Sequence, residues 1–300
     1  MSEKSPDSHR LFTPLTPYTD MDLSSVVTHI NRSTKRARER CANDAVTRGF
    51  LNAAMALMEE LFSGAATDKS GEDSRPTMKF LARNQVLAKA EELSPNMRLT
   101  IGQFRDRWAN QQFFVADFIA YALMERHWSL HTALSERAKV LLTEKSDFIG
   151  SVHEVAYQDL MVVLELPAYR FQLVAAASAE TDPIASDALC KMYDTLNATW
   201  CTLYDAVFTR YGLKFRPGCS MKQLNILLQS VAEGLGLRLL AGTDENIFDH
   251  GKRTSLLGTA ALALLVAFVD PGDGRSFDEL VYRHFDASSS PKGGPLGVDR

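Results

Sequence analysis

Apolar residues recur at steps of three and four along most of the chain, which is the spacing of a helix with one buried face. Runs that alternate apolar and polar residues, as half-buried strands do, are scarce. We therefore predict an all-α fold. The predicted early helices lie around Phe50–Leu61, from Phe80 to Leu93, at Ile101–Trp108 and from Phe113 onward. The predicted later helices are Phe148–Leu164, Tyr169–Ala179, Ile184–Tyr211, Met221–Ala241, Ser255–Val269 and Phe277–Phe285.

Three polar segments rich in Pro, Gly and Ser separate or flank these helices. Such segments cannot bury enough apolar surface to offset the entropy lost on ordering. The sequence thus predicts a mobile N-terminal segment at residues 1–30, a flexible loop at 63–76 and a disordered tail at 287–300. Between them we expect a small N-terminal helical domain at 31–124 and a larger helical bundle at 125–286.

Composition limits the classes of partner. The chain has 300 residues, 45% of them hydrophobic, and a net charge of −4, so contact with nucleic acid requires a local basic patch. Its four cysteines lie far apart without metal-site spacing, which favours reduced thiols in the cytoplasm and no cofactor. The N-terminus lacks the apolar core of a secretory signal, and Leu256–Val269 is shorter than a membrane span. No membrane partner is predicted.

The short helix after Leu99 has the pattern of a helix that reads DNA. Thr100 is placed to cap it, and Gly102 would permit close approach to a neighbouring helix. The spacing turns Phe104 and Trp108 inward. It leaves outward the side chains that can bond base edges in a major groove, Gln103, Arg105 and Arg107. An ordinary solvated surface helix is the alternative.

Upstream, residues 31–40 concentrate positive charge in an otherwise acidic chain. A basic arm of this kind can neutralise phosphates or enter a minor groove. The alternative is a solvated helix face or a linker. The candidate DNA contacts of this arm are Lys35, Arg36 and Arg38.

Three stretches resemble the TetR family of transcription regulators. Thr47–Phe62 is similar to that family's first helix, and Leu99–Gln112 to its turn, recognition helix and entry to the next helix. Residues 211–218 and 231–238 are similar to a regulatory-domain segment of its actinobacterial-type members. The long polar loop at 63–76 departs from the family, and Gln111 stands where members usually have a phosphate-binding lysine.

The resemblance implies a helix-turn-helix domain within 31–124 and a ligand-responsive repressor that binds a palindromic operator as a homodimer. It places Thr100, Gln103, Arg105 and Arg107 at double-stranded DNA, with Asn110 and Gln111 near phosphate. A dimeric interaction protein that has lost DNA binding is the second reading. On that reading the basic arm and the arginines after Thr100 do not share one face.

The larger domain is expected to bind an unknown small-molecule effector and to dimerise. Aromatic residues at helical spacing suggest an apolar cavity with a few polar tips, and the chosen residues are Tyr157, Phe171, Tyr193, Trp200 and Tyr204. Helices that are apolar on most sides need covering. The predicted dimer contacts are Leu224, Leu228, Val231, Leu235, Leu262 and Leu265.

An enzyme is the third class. His127 and His131 at one helical turn's spacing are metal-ligand candidates, and Glu233 in an apolar helix is an acid–base candidate. The sequence has no nucleophile motif, glycine-rich phosphate loop or paired acidic metal motif. We therefore predict no catalytic activity and no metal.

Overall fold

A computed structural model describes residues 21–62, 78–124, 129–144, 147–242 and 246–289. The described chain is almost wholly helical, which confirms the all-α prediction. Its helices are α1 (Lys35–Ala42), α2 (Ala45–Phe62), α3 (Arg83–Leu93), α4 (Ile101–Arg107), α5 (Gln111–Ala122), α6 (Ser129–Glu144), α7 (Phe148–Glu165), α8 (Pro167–Ser178), α9 (Pro183–Tyr211), α10 (Met221–Leu240), α11 (Leu256–Phe268) and α12 (Phe277–Ser289). Short 3-10 helices occupy Met78–Leu81 and Pro95–Met97. Strands β1 (Phe248–Asp249) and β2 (Thr254–Ser255) pair antiparallel.

Side-chain caps fix where several of these helices begin. In each case a hydroxyl or amide oxygen just before the helix accepts a hydrogen bond from the backbone N–H three residues later. This satisfies one of the donors that a helix start leaves without a partner. The capping residues are Thr34, Thr100, Asn110, Ser220 and Ser255.

The predicted bounds of α7 to α11 agree with the structure to within two residues, and α12 runs four residues further, to Ser289. Two helices, α1 and α6, were not predicted. The helix predicted from Phe80 begins only at Arg83, because a 3-10 turn and an extended Ala82 precede it. It ends before Pro95, as predicted. The predicted loop at 63–76 lies outside the described residues, as do 290–300 of the predicted tail.

The chain forms two compact units rather than the predicted pair divided near residue 124. Unit 1 comprises Met1–Leu130 and Glu165–Thr195, and unit 2 comprises His131–Leu164 and Leu196–Arg300. The prediction was wrong because α8 and the first half of α9 belong with the N-terminal helices. In unit 1, the ring of Phe171 on α8 packs against those of Phe62, Phe80 and Phe118.

Unit 1 is built around α2, which packs against α3, α4, α5 and α8. Its N-terminal part is held as well, since Leu23, Val27 and Ile30 are at most 4% exposed. The predicted mobile segment at 1–30 is therefore wrong for residues 21–30. Burying these three aliphatic side chains offsets the cost of ordering a segment that has no helix of its own.

Unit 2 has apolar clusters between α6, α7 and α9 and between α9, α10 and α11. In the first, Val152 and Leu203 pack with Trp200, and in the second, Phe208 packs with Leu224 and Leu228. Helices α10 and α11 lie side by side. Within the described ranges no single helix is both long and apolar enough to cross a membrane; α7 and α8 meet that test of length and composition only when joined across a bend.

Candidate nucleic-acid interface

Helix α4 is fixed at its start by a reciprocal cap. The backbone N–H of Gln103 donates to Thr100 Oγ1 at 3.3 Å, while Gln103 Oε1 accepts from the backbone N–H of Thr100 at 2.9 Å. The predicted cap is confirmed. The same geometry occupies the Gln103 amide oxygen, so this half-buried side chain is held against its own helix.

The inner side of α4 belongs to an aromatic core. Phe104 and Trp108 are fully buried, as predicted. Ring centroids of Phe104 and Phe50 lie 5.3 Å apart in an edge-on arrangement, and Phe114 lies 4.9 Å from both Phe104 and Trp108. Edge-to-face packing of this kind fixes ring orientation as well as burying area. Helix α4 thus has one defined rotational setting on the unit.

A glycine lets α2 approach the turn before α4, but it is Gly49 rather than Gly102. A Cβ built at Gly49 would lie 2.7 Å from Leu99 Cδ1 and 3.1 Å from Met97 Sδ. At Gly102 a Cβ would meet only Thr100 Oγ1, at 3.8 Å, and the residue is exposed. The packing role predicted for Gly102 is therefore wrong.

Arg107 points inward, contrary to the prediction that it faces DNA. Its side chain is 8% exposed and its guanidinium lies 2.7 Å from Asp44 Oδ2. It also donates to Thr47 Oγ1 at 3.0 Å and to the Gln103 carbonyl at 3.1 Å. Thr47 in turn donates to the Cys41 carbonyl at 2.7 Å. A buried guanidinium needs such partners, and these bonds tie α4 to the start of α2.

Arg105 is the arginine that α4 presents to solvent. In the part of the chain that the structure describes, it forms no ion pair and no hydrogen bond. Ile101, one turn earlier, is 47% exposed, which is unusual for a large aliphatic side chain. With Gly102 these residues form an open face that carries one free guanidinium and one apolar group. We call Ile101, Gly102 and Arg105 the α4 face.

The basic segment lies beside α4, partly as helix α1 rather than as an arm. The backbone N–H of Asn31 donates to the Arg107 carbonyl at 2.7 Å. Arg32 forms an ion pair with Asp106 and donates to its carbonyl at 2.8 Å. The hydrogen bond from Arg32 holds the pKa of the Asp106 carboxyl below its usual range. Residues 31 and 32 are thus bonded to the C-terminal end of α4.

The three predicted contacts of this segment differ in availability. The Lys35 side chain is 85% exposed and lies 3.7 Å from Glu39, and Arg36 is exposed. Arg38 is half-buried and donates to the carbonyls of Arg32 and Ser33. Arg36 is therefore available to phosphate and Lys35 is held only by an exposed ion pair with Glu39, whereas Arg38 stabilises the turn before α1.

The two predicted phosphate contacts after α4 also have internal roles. Asn110 Oδ1 accepts from the backbone N–H of Phe113 at 2.9 Å and so caps α5. The Gln111 amide donates to the Leu81 carbonyl. Asn110 is exposed and Gln111 half-buried. These side chains hold α5 in place, which leaves little of Gln111 for a ligand.

Asp117 is a central polar residue that we did not predict. Its carboxylate is fully buried and accepts from Trp108 Nε1 at 2.9 Å, from His29 Nδ1 at 2.7 Å and from the backbone N–H of Thr28 at 2.9 Å. Burial raises the pKa of this carboxyl. A lone acid within the apolar run of α5 was the available signal, since a buried carboxylate requires donors.

The five predicted ligand-binding residues are divided between the two units. Phe171 and Tyr193 lie in unit 1, where Phe171 is core and the Tyr193 hydroxyl accepts from Gln172 at 2.9 Å. In unit 2, the Tyr157 hydroxyl is hydrogen-bonded to His250 at 2.8 Å, and the rings of Trp200 and Tyr204 are stacked. Burial raises the pKa of Tyr204. The single cavity lined by all five residues stays a prediction, because α9 belongs to both units.

The predicted dimer residues mostly pack within the chain. Leu224 and Leu228 are buried in a cluster with Phe208, and Leu265 packs against that cluster. Val231 and Leu235 pack beside β1, and Leu262 against the cluster containing Trp200. Leu224 and Leu228 are thus core, which corrects the prediction. Exposed large apolar side chains on these and the last helix are Ile226, Leu227, Leu237, Leu256, Val266, Phe277, Val281, Tyr282 and Phe285.

Other chemistry is sparse in the described residues. They contain no group of three or more His, Cys, Asp or Glu side chains arranged to hold a metal ion. His127 lies outside the described residues, and the side chain of His131 does as well. All four cysteines are free thiols. Glu233 is half-buried on α10.

Comparisons with known proteins add no identity: no family model, curated protein or solved structure matches this chain.

Proposed function

We propose that the chain is a cytoplasmic, DNA-binding transcription regulator like those of the TetR family, acting as a repressor on a palindromic operator. The observation that carries this is the α4 face, with the free guanidinium of Arg105 next to a basic segment. Arg105 has the donor geometry for a guanine edge, and Ile101 has the apolar surface for a thymine methyl. Lys35 and Arg36 would supply phosphate contacts.

The firm packing of α4 against the rest of unit 1 supports this function. Base reading requires side chains that are held by a fixed framework, because a loose helix loses discrimination. The cap at Thr100, the rings of Phe104 and Trp108 and the buried bonds of Arg107 set the position of α4. Six of the nine predicted contacts serve this framework, namely Thr100, Gln103, Arg107, Asn110, Gln111 and Arg38. DNA contact would fall chiefly on Arg105, Lys35 and Arg36.

A homodimer formed through α10, α11 and α12 would give the two half-site contacts that a palindrome needs. The exposed apolar side chains of these helices support it, since Val266 is 77% and Tyr282 71% exposed. Exposed apolar side chains that lie together mark interaction sites. The interface would use the outward neighbours of the residues first predicted.

A dimeric interaction protein without DNA binding is the second candidate. One observation favours it: only one arginine of α4 is free, and the side chains that follow are bonded internally. It predicts self-association without any salt-dependent affinity for duplex DNA.

The two candidate functions are distinguished by measuring how the affinity for a labelled random-sequence duplex depends on salt concentration. Between about 50 and 200 mM salt, affinity should fall steeply, because each phosphate contact releases counterions. The double variant Lys35→Ala/Arg36→Ala should reduce the slope of log K against log salt by about two. The control, Lys214→Ala/Lys222→Ala, removes the same charge from exposed sites of unit 2. Equal slopes in the two variants, or no salt-dependent binding, would contradict the proposal.

A further inference from the structure

A cavity of about 360 Å³ lies within unit 1, between the N-terminal segment, α5 and residues 183–195 of α9. Its volume falls within the range of small-ligand sites. The wall is mainly apolar, with contributions from Val26, Ala120, Leu123, Ile184 and Met192. None of the five side chains predicted for an effector lines it.

His29 is the polar group that this cavity offers. Its Nδ1 is bonded to Asp117 Oδ1 at 2.7 Å, and its ring stacks on Phe113 at 5.3 Å. The ring is thereby oriented from two sides. Nε2 has no hydrogen-bond partner among the described residues. Imidazole nitrogen can donate or accept according to its protonation, so it suits a hydroxyl or a carboxylate.

Apart from the exposed hydroxyls of Ser25 and Thr28, the other polar side chains of the wall are already engaged. Asp117 accepts from Trp108, His29 and the backbone, and is fully buried. Lys191 is paired with Asp187 at 2.7 Å, and Thr195 donates to the Lys191 carbonyl. A bound ligand would therefore have its apolar part enclosed by the wall and its polar group hydrogen-bonded mainly to His29.

The cavity wall is bonded to α4. Residues 28 and 29 are held by Asp117, which also holds the Trp108 indole at the end of α4. Two residues later, the Asn31 N–H donates to the Arg107 carbonyl at 2.7 Å. A ligand that moves His29 must strain or break these bonds, and both lead to the C-terminal end of α4.

We infer that this cavity binds a small apolar molecule with one hydroxyl or carboxyl group, anchored by His29, and that its occupancy weakens DNA binding by α4. The second half of this statement rests on the proposed function. Coupling of this kind requires the ligand to bind the DNA-incompetent arrangement more tightly.

The test uses the full chain and two probes with one apolar body, 4-ethylphenol and 4-ethylbenzoate. Methionine methyl groups labelled with ¹³C report the site, because Met124 and Met192 line the cavity while Met221 lies in unit 2. At least one probe should shift the Met124 and Met192 signals saturably and leave Met221 unchanged. His29→Ala should weaken this binding roughly 10-fold, the equivalent of one good hydrogen bond. His284→Ala, an exposed histidine of α12, is the matched control.

DNA affinity is then measured on the same samples. Saturating probe should weaken it at least about 5-fold, the lower end of usual allosteric couplings. Absent or non-saturable shifts at Met124 and Met192 would overturn the site, and an unchanged DNA affinity at saturation would overturn the coupling. If the ligand-free chain binds no DNA, the proposed function and its coupling fail, while the methyl shifts still decide the cavity.

Discussion

The α4 face of unit 1 and the exposed side of α10–α12 in unit 2 have opposite chemistry. The first is small and carries one free charge, Arg105, beside the exposed Ile101. The second carries large aliphatic and aromatic side chains such as Val266 and Tyr282. A charged face on a firmly packed helix suits a charged, hydrogen-bonding partner. An apolar surface, in contrast, is stable only when covered. The proposed function assigns these two surfaces to two classes of partner, duplex DNA and a second copy of the chain.

The frameworks behind the two surfaces differ as well. Behind α4, buried polar groups such as Arg107 and Asp117 connect separate segments through oriented hydrogen bonds. Behind α10 and α11, packing of leucines against Phe208 holds the helices. Buried polar networks fix a geometry but are costly when broken, whereas apolar packing tolerates exchange of similar side chains. The predictions below use this difference, from the largest effect to the smallest.

Removing a core ring from behind α4 should have the largest effect. Phe104→Ala leaves a cavity among Phe50, Trp108 and Phe114, and the expected loss of unfolding free energy is about 3–5 kcal/mol. Val140→Ala, at an exposed position of α6 in unit 2, should change it by less than about 0.5 kcal/mol. Scanning calorimetry measures both. Similar losses in the two variants would contradict the contrast.

The next largest effect should be the difference in stability between variants of the two arginines of α4. Arg107→Met removes the donor that Asp44 Oδ2 and Thr47 Oγ1 accept from, and it should cost about 1–3 kcal/mol of stability. Arg105→Met, its exposed counterpart, should cost less than about 0.5 kcal/mol but weaken DNA binding. Denaturant unfolding and a DNA titration give the two readings. An Arg105 variant that is the less stable of the pair would refute the assignment.

A charge placed on the apolar surface of unit 2 should weaken self-association. Val266→Lys would bury an unpaired ammonium in the dimer, and we expect the dimer dissociation constant to rise at least about 10-fold. Ala176→Lys, on an exposed position of α8, is the control. Sedimentation velocity over a concentration series measures both. Unchanged association in the Val266 variant would remove this surface from the interface.

The smallest expected effect is that of the Arg32–Asp106 ion pair, which is partly exposed. Asp106→Asn should cost about 0.2–1 kcal/mol at neutral pH. Because the folded-state pKa of Asp106 is lowered, this stabilisation is present above the unfolded pKa of 3.8 and is lost as pH falls through the folded value. The unfolding free energies of the wild-type protein and the Asp106→Asn variant should therefore converge at low pH. A difference that grows on acidification would contradict the sign.

Helical periodicity predicted most elements, because α7 to α11 bury regular apolar stripes. It missed α1, where only Cys41 and Ala42 are buried and the remaining residues are mainly charged. It also predicted that Arg107 faces outward, which is wrong. Spacing alone does not reveal that Asp44 and Thr47 accept hydrogen bonds from a buried guanidinium. Contacts between residues some sixty positions apart depend on how helices pack, which local sequence does not encode.

The sequence also did not show which unit holds each predicted ligand residue, or that Leu224 and Leu228 are core. Sequence position placed Phe171 and Trp200 in one domain. In the structure, residues 165–195 belong to unit 1, and the chain returns to unit 2 after residue 195. Leu224 and Leu228 were assigned to an interface because α10 is apolar on several sides, and the structure uses those sides for its own core. Composition identifies a buried side chain but not the molecule that buries it.

The central claim is that the α4 face reads DNA, and selection from random duplexes tests it most directly. Wild type and Arg105→Ala would be compared at low salt. We predict that wild type enriches a palindrome and that the variant loses preference at one symmetry-related pair of positions by about 5- to 150-fold, as loss of a base contact implies. No enriched sequence for wild type, or the same palindrome with undiminished preference in the variant, would contradict it.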